Sequence, residues 1–314
     1  MRHLVLPFAA IAAVCAVAPA HALNTRTWVS GKGVDQASCG PIATPCRTLQ
    51  YAHDNTTAGG EIDVLDSAGY GSIVIAKAIS IIGDGSVAGV LGSAGGTAVT
   101  INAGQSDAVT LRGLTIEGAG TATYGVVLKS GGYVEISRCV VTAFTETGID
   151  LQMTSGAPRV VVSDTTLSRN GGVGFRYFQT APSNVSPNIV VNRVDSHHNG
   201  SIGYYIQQNS AGDATLDMRH STASSNVNYG FAVQTATQAA GTLTVSLDNL
   251  SATGNGQVGM IFTGSKLRAY LGRSVVSGNP TGVQNGGGVQ SYGNNQIDGN
   301  GVNVTSSIPS VALR

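Results

Sequence analysis

The sequence has few charged residues. Charged side chains make up 11% of the 314 residues, against about 25% in an average protein, so the composition is not that of a disordered, highly charged tail. Lysine plus arginine equals aspartate plus glutamate at 17 each, and this balance argues against a nucleic acid partner. Glycine is abundant at 43 residues, about twice the usual ~7%, which argues against long helices and coiled coils.

Long apolar runs are also missing after the first 22 residues. Arg2 precedes an apolar stretch over residues 4–18, and residues 20–22 read Ala-His-Ala, a small-residue cleavage pattern. The run is short for a membrane span and contains Pro7 and Pro19. We therefore predict a signal peptide over residues 1–22 and a secreted protein, periplasmic or extracellular, whose mature chain has no integral membrane segment.

The chain has only four cysteines. Cys15 falls in the predicted signal peptide, and Cys39 and Cys46 bracket a turn-rich loop that is short enough to close. An oxidising compartment favours a disulfide between them, and no second Cys or His pair stands near enough to suggest a metal site. Cys139 lies on an apolar column, so we predict a small buried residue there.

A repeat of two phrases dominates the chain from about residue 109. The first phrase has apolar residues at positions 1, 4 and 6 and ends in asparagine three residues later, and the second reads Gly-Φ-x-Φ, where Φ is apolar. Alternation with period two indicates strands, and the Gly, Ser, Thr and Asn between them indicate turns. A leucine-rich repeat would need a helix or compact turn in place of the second phrase. The period predicts an all-β fold, a solenoid of short parallel strands.

The asparagines that end the first phrase have a structural explanation. They recur every 21 to 29 residues, and stacked side-chain amides can hydrogen-bond from one coil to the next. Asparagine also tolerates the left-handed backbone of a tight turn. We predict an asparagine ladder at Asn170, Asn199, Asn226, Asn255 and Asn279.

The open end of such a solenoid needs a cap. Residues 47–57 can form a short helix with Leu49, Ala52 and His53 on one face, directly before the first strand phrase. We predict an N-terminal cap with the disulfide loop over residues 23–60 and the solenoid over residues 61–314.

Several segments resemble a known group of proteins. Residues 28–31 (Trp-Val-Ser-Gly), 45–48 (Pro-Cys-Arg-Thr) and 59–65 (Gly-Gly-Glu-Ile-Asp-Val-Leu) are similar to the opening of exported bacterial right-handed parallel β-helix repeat proteins. The repeat resembles that of the pectate-lyase-like superfamily. The resemblance implies a single-stranded right-handed parallel β-helix with a short N-terminal capping helix. The resemblance says little about activity, because the superfamily includes lyases, hydrolases, epimerases and members without assigned catalysis.

The second phrase places a polar strip on the outer face of its strands. Aromatic faces suit sugar C–H surfaces, and amides and charges suit hydroxyls or uronate carboxylates. We predict that the strip binds a polysaccharide or a cell-surface glycan. The predicted substrate-binding residues are Lys129, Gln152, Phe178, Tyr205, Gln207 and Gln234.

Arg176 and Asp150 on the same strip are the candidate catalytic pair. The resemblance implies that a uronide lyase works by β-elimination with Arg or Lys as the base, often with Ca²⁺ held by acidic residues. No dense acidic cluster or paired Asp-Asp supports that chemistry here. The predicted cofactor is therefore none, with Ca²⁺ the exception if the chain is a lyase.

A second polar strip runs beside the asparagines. Asp164, Asp195, Arg193, Arg219 and His220 include the residue types of an acid, a base and an anion-binding group. The neighbouring residues 197 and 198, both histidine, should point to opposite sides of a strand, so no metal site is predicted.

Three functions remain open from the sequence. The leading hypothesis is an exported β-helix protein that contacts polysaccharide and has no clear catalytic set. The alternatives are a polysaccharide lyase and a structural or adhesive surface solenoid. The sequence leaves the glycan and the oligomeric state undetermined.

Overall fold

The computed structural model describes residues 23–178, 183–237 and 239–312. Within them the chain winds into coils whose strands pair in parallel with the coils before and after. The predicted all-β parallel solenoid is confirmed. The predicted signal peptide, residues 1–22, lies outside the described residues.

Among the described residues, the larger sheet, sheet 1, has 19 strands and bends around a corner, so it covers two faces of the coil. Its strands are Asn24–Val29, Thr56–Val64, Ala68–Gly69, Ile79–Ile82, Ala88–Leu91, Ala108–Arg112, Leu114–Glu117, Tyr133–Ser137, Val140–Thr142, Arg159–Ser168, Asn188–His197, Ala214–Arg219, Thr222–Ser224, Leu243–Asp248, Ser251–Thr253, Leu267–Gly272, Val275–Ser277, Val289–Ser291 and Gln296–Ile297.

The third face is sheet 2, which has ten strands in the described part of the chain. A small sheet, with two strands described, lies in the loops that follow it. The small sheet pairs Ser155–Gly156 with Asn184–Val185. The strands of sheet 2 are Ile73–Ile75, Thr97–Asn102, Tyr124–Ser130, Thr147–Leu151, Val173–Phe178, Ile202–Gln208, Tyr229–Thr235, Val258–Thr263, Thr281–Gly286 and Val302–Val304.

Two corners turn the chain with left-handed backbone. At the first corner, within sheet 1, φ is positive at Arg138, Asp164, Arg193, His220, Asn249 and Arg273. At the second corner, between sheet 1 and sheet 2, φ is positive at Ala143, Arg169, His198, Ser225, Gly254, Gly278 and Gly299. The ladder asparagines follow these residues directly and have no positive φ themselves. The expected left-handed conformation therefore belongs to the residue before each asparagine.

The asparagines form a continuous hydrogen-bonded column at the second corner. The side-chain nitrogen of Asn170 donates to Oδ1 of Asn199 at 3.0 Å, and Asn199 donates to Asn226 at the same distance. The column continues through Asn255, Asn279 and Asn300. Gly203 in sheet 2 packs against it, since a Cβ there would lie 2.9 Å from the Asn226 amide nitrogen. This contact explains why glycine opens the second phrase.

The N-terminal segment closes the first coil. The helix Leu49–Asn55 is capped by the Thr48 side chain, which accepts a hydrogen bond from the Tyr51 amide, and it buries Leu49, Ala52 and His53. A disulfide joins Cys39 to Cys46. The strand Asn24–Val29 pairs in parallel with Thr56–Val64, so the cap also adds a strand to sheet 1.

Candidate functional site

The predicted polar strip lies on the outer face of sheet 2. The register puts Asp150, Arg176 and Tyr205 in one row across three neighbouring strands. Phe178, Gln207 and Gln234 form a second row two residues further along. Seven of the eight predicted residues contact one another in two groups. The eighth, Lys129, is exposed and has no hydrogen bond or ion pair within the described part of the chain. The strip joins side chains from four strands.

Asp150 and Arg176 form a partly buried ion pair. Arg176 Nε lies 2.9 Å from Oδ1 of Asp150, and Nη2 lies 2.5 Å from Oδ2. Gln152 donates a third hydrogen bond to Oδ2 at 2.6 Å. The Asp150 side chain is 1% exposed although it points outward, because the neighbouring side chains cover it, whereas Arg176 is 24% exposed.

The pairing opposes the predicted role of Arg176 as a base. The hydrogen bonds from its guanidinium to the Asp150 carboxylate raise the pKa of Arg176 above its ordinary value. A base must lose its proton before it can accept one from substrate, and this partner holds the proton in place. The guanidinium is also 5.8 Å from the ring centroid of Tyr124, a cation–π distance. The arrangement suits a fixed positive charge.

The second half of the strip is a hydrogen-bonded group of amides and a phenol. Tyr205 donates to Oε1 of Gln207 at 2.6 Å, and the Gln234 amide donates to the same oxygen at 2.6 Å and to the Tyr205 oxygen at 2.8 Å. The rings of Phe178 and Tyr205 lie 5.7 Å apart with an interplanar angle of 30°. Burial raises the pKa of Tyr205, which therefore stays protonated at neutral pH. The group offers aromatic faces beside amide donors and acceptors.

An aromatic stack supports the strip from inside the coil. Tyr204 and Phe231 stack with centroids 4.8 Å apart, and Phe175 is 6.4 Å from Tyr204. The Tyr204 hydroxyl donates to the Val194 carbonyl at 2.6 Å. These buried rings alternate along the strands with the strip residues, so the floor of the strip is closely packed.

The second predicted strip does not form a single cluster. Arg193 pairs with Asp164 at 2.6 Å, and Arg219 pairs with Asp217 of its own strand. Asp195 lies beyond the first corner, on the other of the two coil faces that sheet 1 covers. Its carboxylate accepts a hydrogen bond from the Thr222 hydroxyl. Exposed ion pairs of this kind contribute little to stability, and the acidic and basic residues of this strip pair separately.

A cavity that the sequence did not predict lies near the C-terminal end of sheet 1. Its volume is about 460 Å³. Gly272 forms part of its lining, and a Cβ there would lie 3.0 Å from the Tyr292 ring. The lining residues are Arg219, Ser246, Leu247, Asp248, Gly272, Arg273, Tyr292 and Asn294. A glycine in an outward row, among charged neighbours, is the sequence signal for such a gap.

Two groups of metal-ligand residue types lie close together in the described part of the chain. Asp35 lies close to Cys39 and Cys46, but both sulfurs are used in the disulfide, so these three residues are not a metal site. His197 and His198 have their Nδ1 atoms 2.9 Å apart. The expectation that they point to opposite sides is wrong, because the positive φ of His198 rotates its side chain toward that of His197.

The coils, the corners and the asparagine column define a parallel β-helix protein with an ordered outer strip. A family model described as right-handed β-helix region matches residues 93–308, more than half of the chain, and the chain belongs to this family. The predicted right-handed parallel β-helix is thereby confirmed. Among the described residues, no helix is long and apolar enough to span a membrane.

Two solved structures are similar in fold. The A-module of the mannuronan C-5 epimerase AlgE4 from Azotobacter vinelandii has a TM-score of 0.57 and 16% identity, and the match covers 74% of this chain and 67% of that one. The pectate lyase Pel9A has a TM-score of 0.51 and 16% identity, with 92% and 78% covered. At this identity the likeness concerns the fold. No curated protein matches the chain.

Proposed function

We propose that this protein is exported and binds an acidic polysaccharide along the polar strip of sheet 2. The observation that carries the proposal is the set of outward side chains from Asp150 to Gln234, two hydrogen-bonded groups that lie side by side on four neighbouring strands. Strands in a sheet are about 4.8 Å apart, so the strip extends over about 14 Å. This length suits several consecutive sugar residues of a polysaccharide.

The chemistry of the strip favours a carbohydrate over a small apolar ligand. Phe178 and Tyr205 offer ring faces for sugar C–H surfaces, and Gln207 and Gln234 offer amides for hydroxyls. These side chains hold one another in place before a ligand arrives, so less conformational entropy is lost on binding. The two similar structures are a mannuronan epimerase and a pectate lyase, so both names refer to polysaccharides, which supports a carbohydrate ligand here.

The charges favour an acidic polysaccharide over a neutral one. Asp150 is the one carboxylate among the strip residues, and Arg176 neutralises it. Lys129 is exposed and unpaired among the described residues, and Arg176 keeps 24% of its side chain accessible. The strip therefore carries a net positive charge toward solvent, which attracts uronate carboxylates.

A uronide lyase is the second candidate, because Arg176 stands at the centre of the strip. Since Asp150 raises the pKa of Arg176, a lyase would need another group to take the sugar proton. Arg176 would then bind and orient a carboxylate of the substrate. A structural or adhesive solenoid is the third candidate, and it predicts no glycan binding at the strip.

The test uses the mature protein, residues 23–314, with polygalacturonate and alginate as acidic probes and dextran as the neutral control. We expect calorimetric binding to an acidic probe that weakens with salt, and about a tenfold loss in each of Tyr205→Ala and Phe178→Ala. Tyr270→Ala, on a different face, is the matched control and should bind as the wild type does.

Absorbance near 235 nm, recorded with and without Ca²⁺, separates binding from catalysis. A steady rise indicates unsaturated product and would replace the binding proposal with the lyase. Equal loss in Tyr205→Ala and Tyr270→Ala would contradict the strip as the contact surface. The absence of binding to both acidic probes would favour the structural solenoid.

A further inference from the structure

The second corner of one coil brings two imidazoles together. His197 ends the strand Asn188–His197, and His198 follows it with φ at 54°. On a straight strand the two side chains would point to opposite faces, but the left-handed residue turns the second ring back toward the first. Their Nδ1 atoms are 2.9 Å apart, so one ring donates a hydrogen bond to the other, and the rings meet edge to face at 88°. A shift of the donor ring's proton to Nε2 frees both Nδ1 atoms as ligands.

The backbone at this corner is common to the neighbouring coils. Arg169 in the preceding coil and Ser225 in the following coil both have φ at 54°, the value of His198. His197 is in register with Ser168 on one side and Ser224 on the other. The coil that contains residues 197 and 198 therefore differs from its neighbours in its side chains and not in its conformation.

The separation of the two nitrogens matches a chelate with a right angle at the metal. Imidazole nitrogens bind divalent first-row metals at about 2.0–2.1 Å, so two of them at 90° are about 2.9 Å apart, and at a tetrahedral angle about 3.3 Å apart. Right angles belong to the square-planar or tetragonal geometry of Cu²⁺ and Ni²⁺, whereas Zn²⁺ in proteins is usually tetrahedral.

We propose that His197 and His198 chelate a divalent transition-metal ion through their Nδ1 atoms, with Cu²⁺ preferred and water completing the coordination. Imidazole is a common ligand for copper and nickel, and Cu²⁺ has the highest affinity of the divalent series for nitrogen ligands. The site lies at the corner between the sheets, so this proposal does not depend on the polysaccharide function.

The surroundings of the pair allow a cation. His197 is half-buried and His198 is exposed, so an ion and its water ligands can reach both rings. Asp195, two residues earlier on the same side of the strand, supplies a nearby negative charge, and Arg169 supplies an opposing positive one. We expect Arg169→Gln to tighten metal binding, because it removes the opposing charge.

The experiment titrates untagged mature protein with Cu²⁺ and follows heat and electron paramagnetic resonance. We expect one Cu²⁺ per chain and splitting from two nitrogens. The double variant H197S/H198S should lose the two-nitrogen spectrum and bind more than about tenfold more weakly. It should keep its circular dichroism and melting temperature, because Ser224 and Ser225 occupy the same backbone in the next coil.

A transplanted pair is the matched control. Adding S224H/S225H to H197S/H198S should restore copper binding one coil further along the axis. Failure of the restored pair to bind, in a protein that remains folded, would overturn the geometric basis of the proposal. Undiminished binding in H197S/H198S would place the copper elsewhere and overturn it as well. Tighter binding of Zn²⁺ than of Cu²⁺ would exclude the right-angle chelate.

Discussion

The second corner is built in two different ways along the solenoid. From residue 170 to residue 300 an asparagine follows the left-handed residue in each coil, whereas in the coil before, Phe144 takes that place. Ala143, which precedes Phe144, has φ at 61°, so both kinds of corner turn in the same conformation. The left-handed residue makes the turn, and the residue after it fills the inside of the corner.

The two fillings stabilise the corner by different means. Phe144 packs in the interior, where its ring lies close to the backbone of Gly92 and Gly118, and its amide donates to the Asn170 side chain. Asn226 instead receives hydrogen bonds from the amide and side chain of Asn199 and donates to Asn255 and to the Ser196 carbonyl. One corner depends on apolar packing and the other on satisfied buried polar groups.

The largest expected effect is at the apolar corner. Phe144→Ala removes a fully buried ring and should lower the free energy of unfolding by about 3–5 kcal/mol. Urea denaturation monitored by circular dichroism measures this loss. Phe178→Ala is the control, and it should lower the free energy of unfolding by less because that ring is partly exposed. A change below about 1 kcal/mol at position 144 would contradict the packing argument.

A somewhat smaller loss is expected at the polar corner. Asn226→Ala leaves the buried Asn199 backbone N–H without its acceptor and removes the side-chain hydrogen bonds to Asn255 and to the Ser196 carbonyl, which should lower the free energy of unfolding by about 2–3 kcal/mol. The exposed neighbour Val227→Ala should be nearly neutral. If Asn226→Ala were also neutral, the column would be a consequence of the turn and not a stabilising element.

The left-handed residue that both kinds of second corner share predicts a small increase in stability when it is replaced by glycine. Ala143→Gly and Ser225→Gly each relieve the steric cost of positive φ, offset in part by the greater freedom of glycine in the unfolded chain. We expect each to raise the free energy of unfolding by roughly 0.5 kcal/mol. A gain at one corner and a loss at the other would show that the corners differ in backbone as well as in filling.

The smallest effect is local and depends on pH. Burial lowers the pKa of His53 below its ordinary value of 6.5, and its Nε2 accepts a hydrogen bond from the Ala76 amide. The unfolded chain therefore binds more protons between the two pKa values. The stabilisation is complete above about pH 6.5 and is lost as the pH falls toward the folded pKa.

Hydrogen exchange resolves where that loss occurs. On acidification below pH 6.5, protection of the Ala76 amide and of the helix Leu49–Asn55 should fall before that of the amides of Asn199 and Asn226. His53→Gln should remove this dependence on pH. A simultaneous loss of protection in the asparagine column would mean that the cap and the later coils unfold together.

Much of the fold was predictable because it depends on local, periodic patterns. The helix predicted over residues 47–57 is found at Leu49–Asn55 with the expected buried face. Glycine and asparagine recur because the ladder needs both the amide and the space beside it. The left-handed residues were missed because alanine, arginine, histidine, serine and glycine all occupy that position, so no residue type marks it.

The candidate site was less predictable because it depends on contacts between coils. Alternation along a strand gives the side to which Asp150 points, but its burial comes from Arg176, 26 residues later, and from Gln152. The approach of His197 to His198 depends on a single backbone angle. The predicted boundaries of the cap, the signal peptide and the roles of the strip residues stay predictions.

The asparagine column also has a direction. Each side chain donates from its nitrogen toward the C-terminal end and accepts on its oxygen from the N-terminal end, from Phe144 through to Asn303. The column is thus a one-way chain of amides whose two ends are chemically unlike, an acceptor at one and a donor at the other. A coil inserted within the column would have to accept from the coil before it and donate to the coil after it, whereas the Phe144 amide and the Asn303 side chain terminate the column at its two ends.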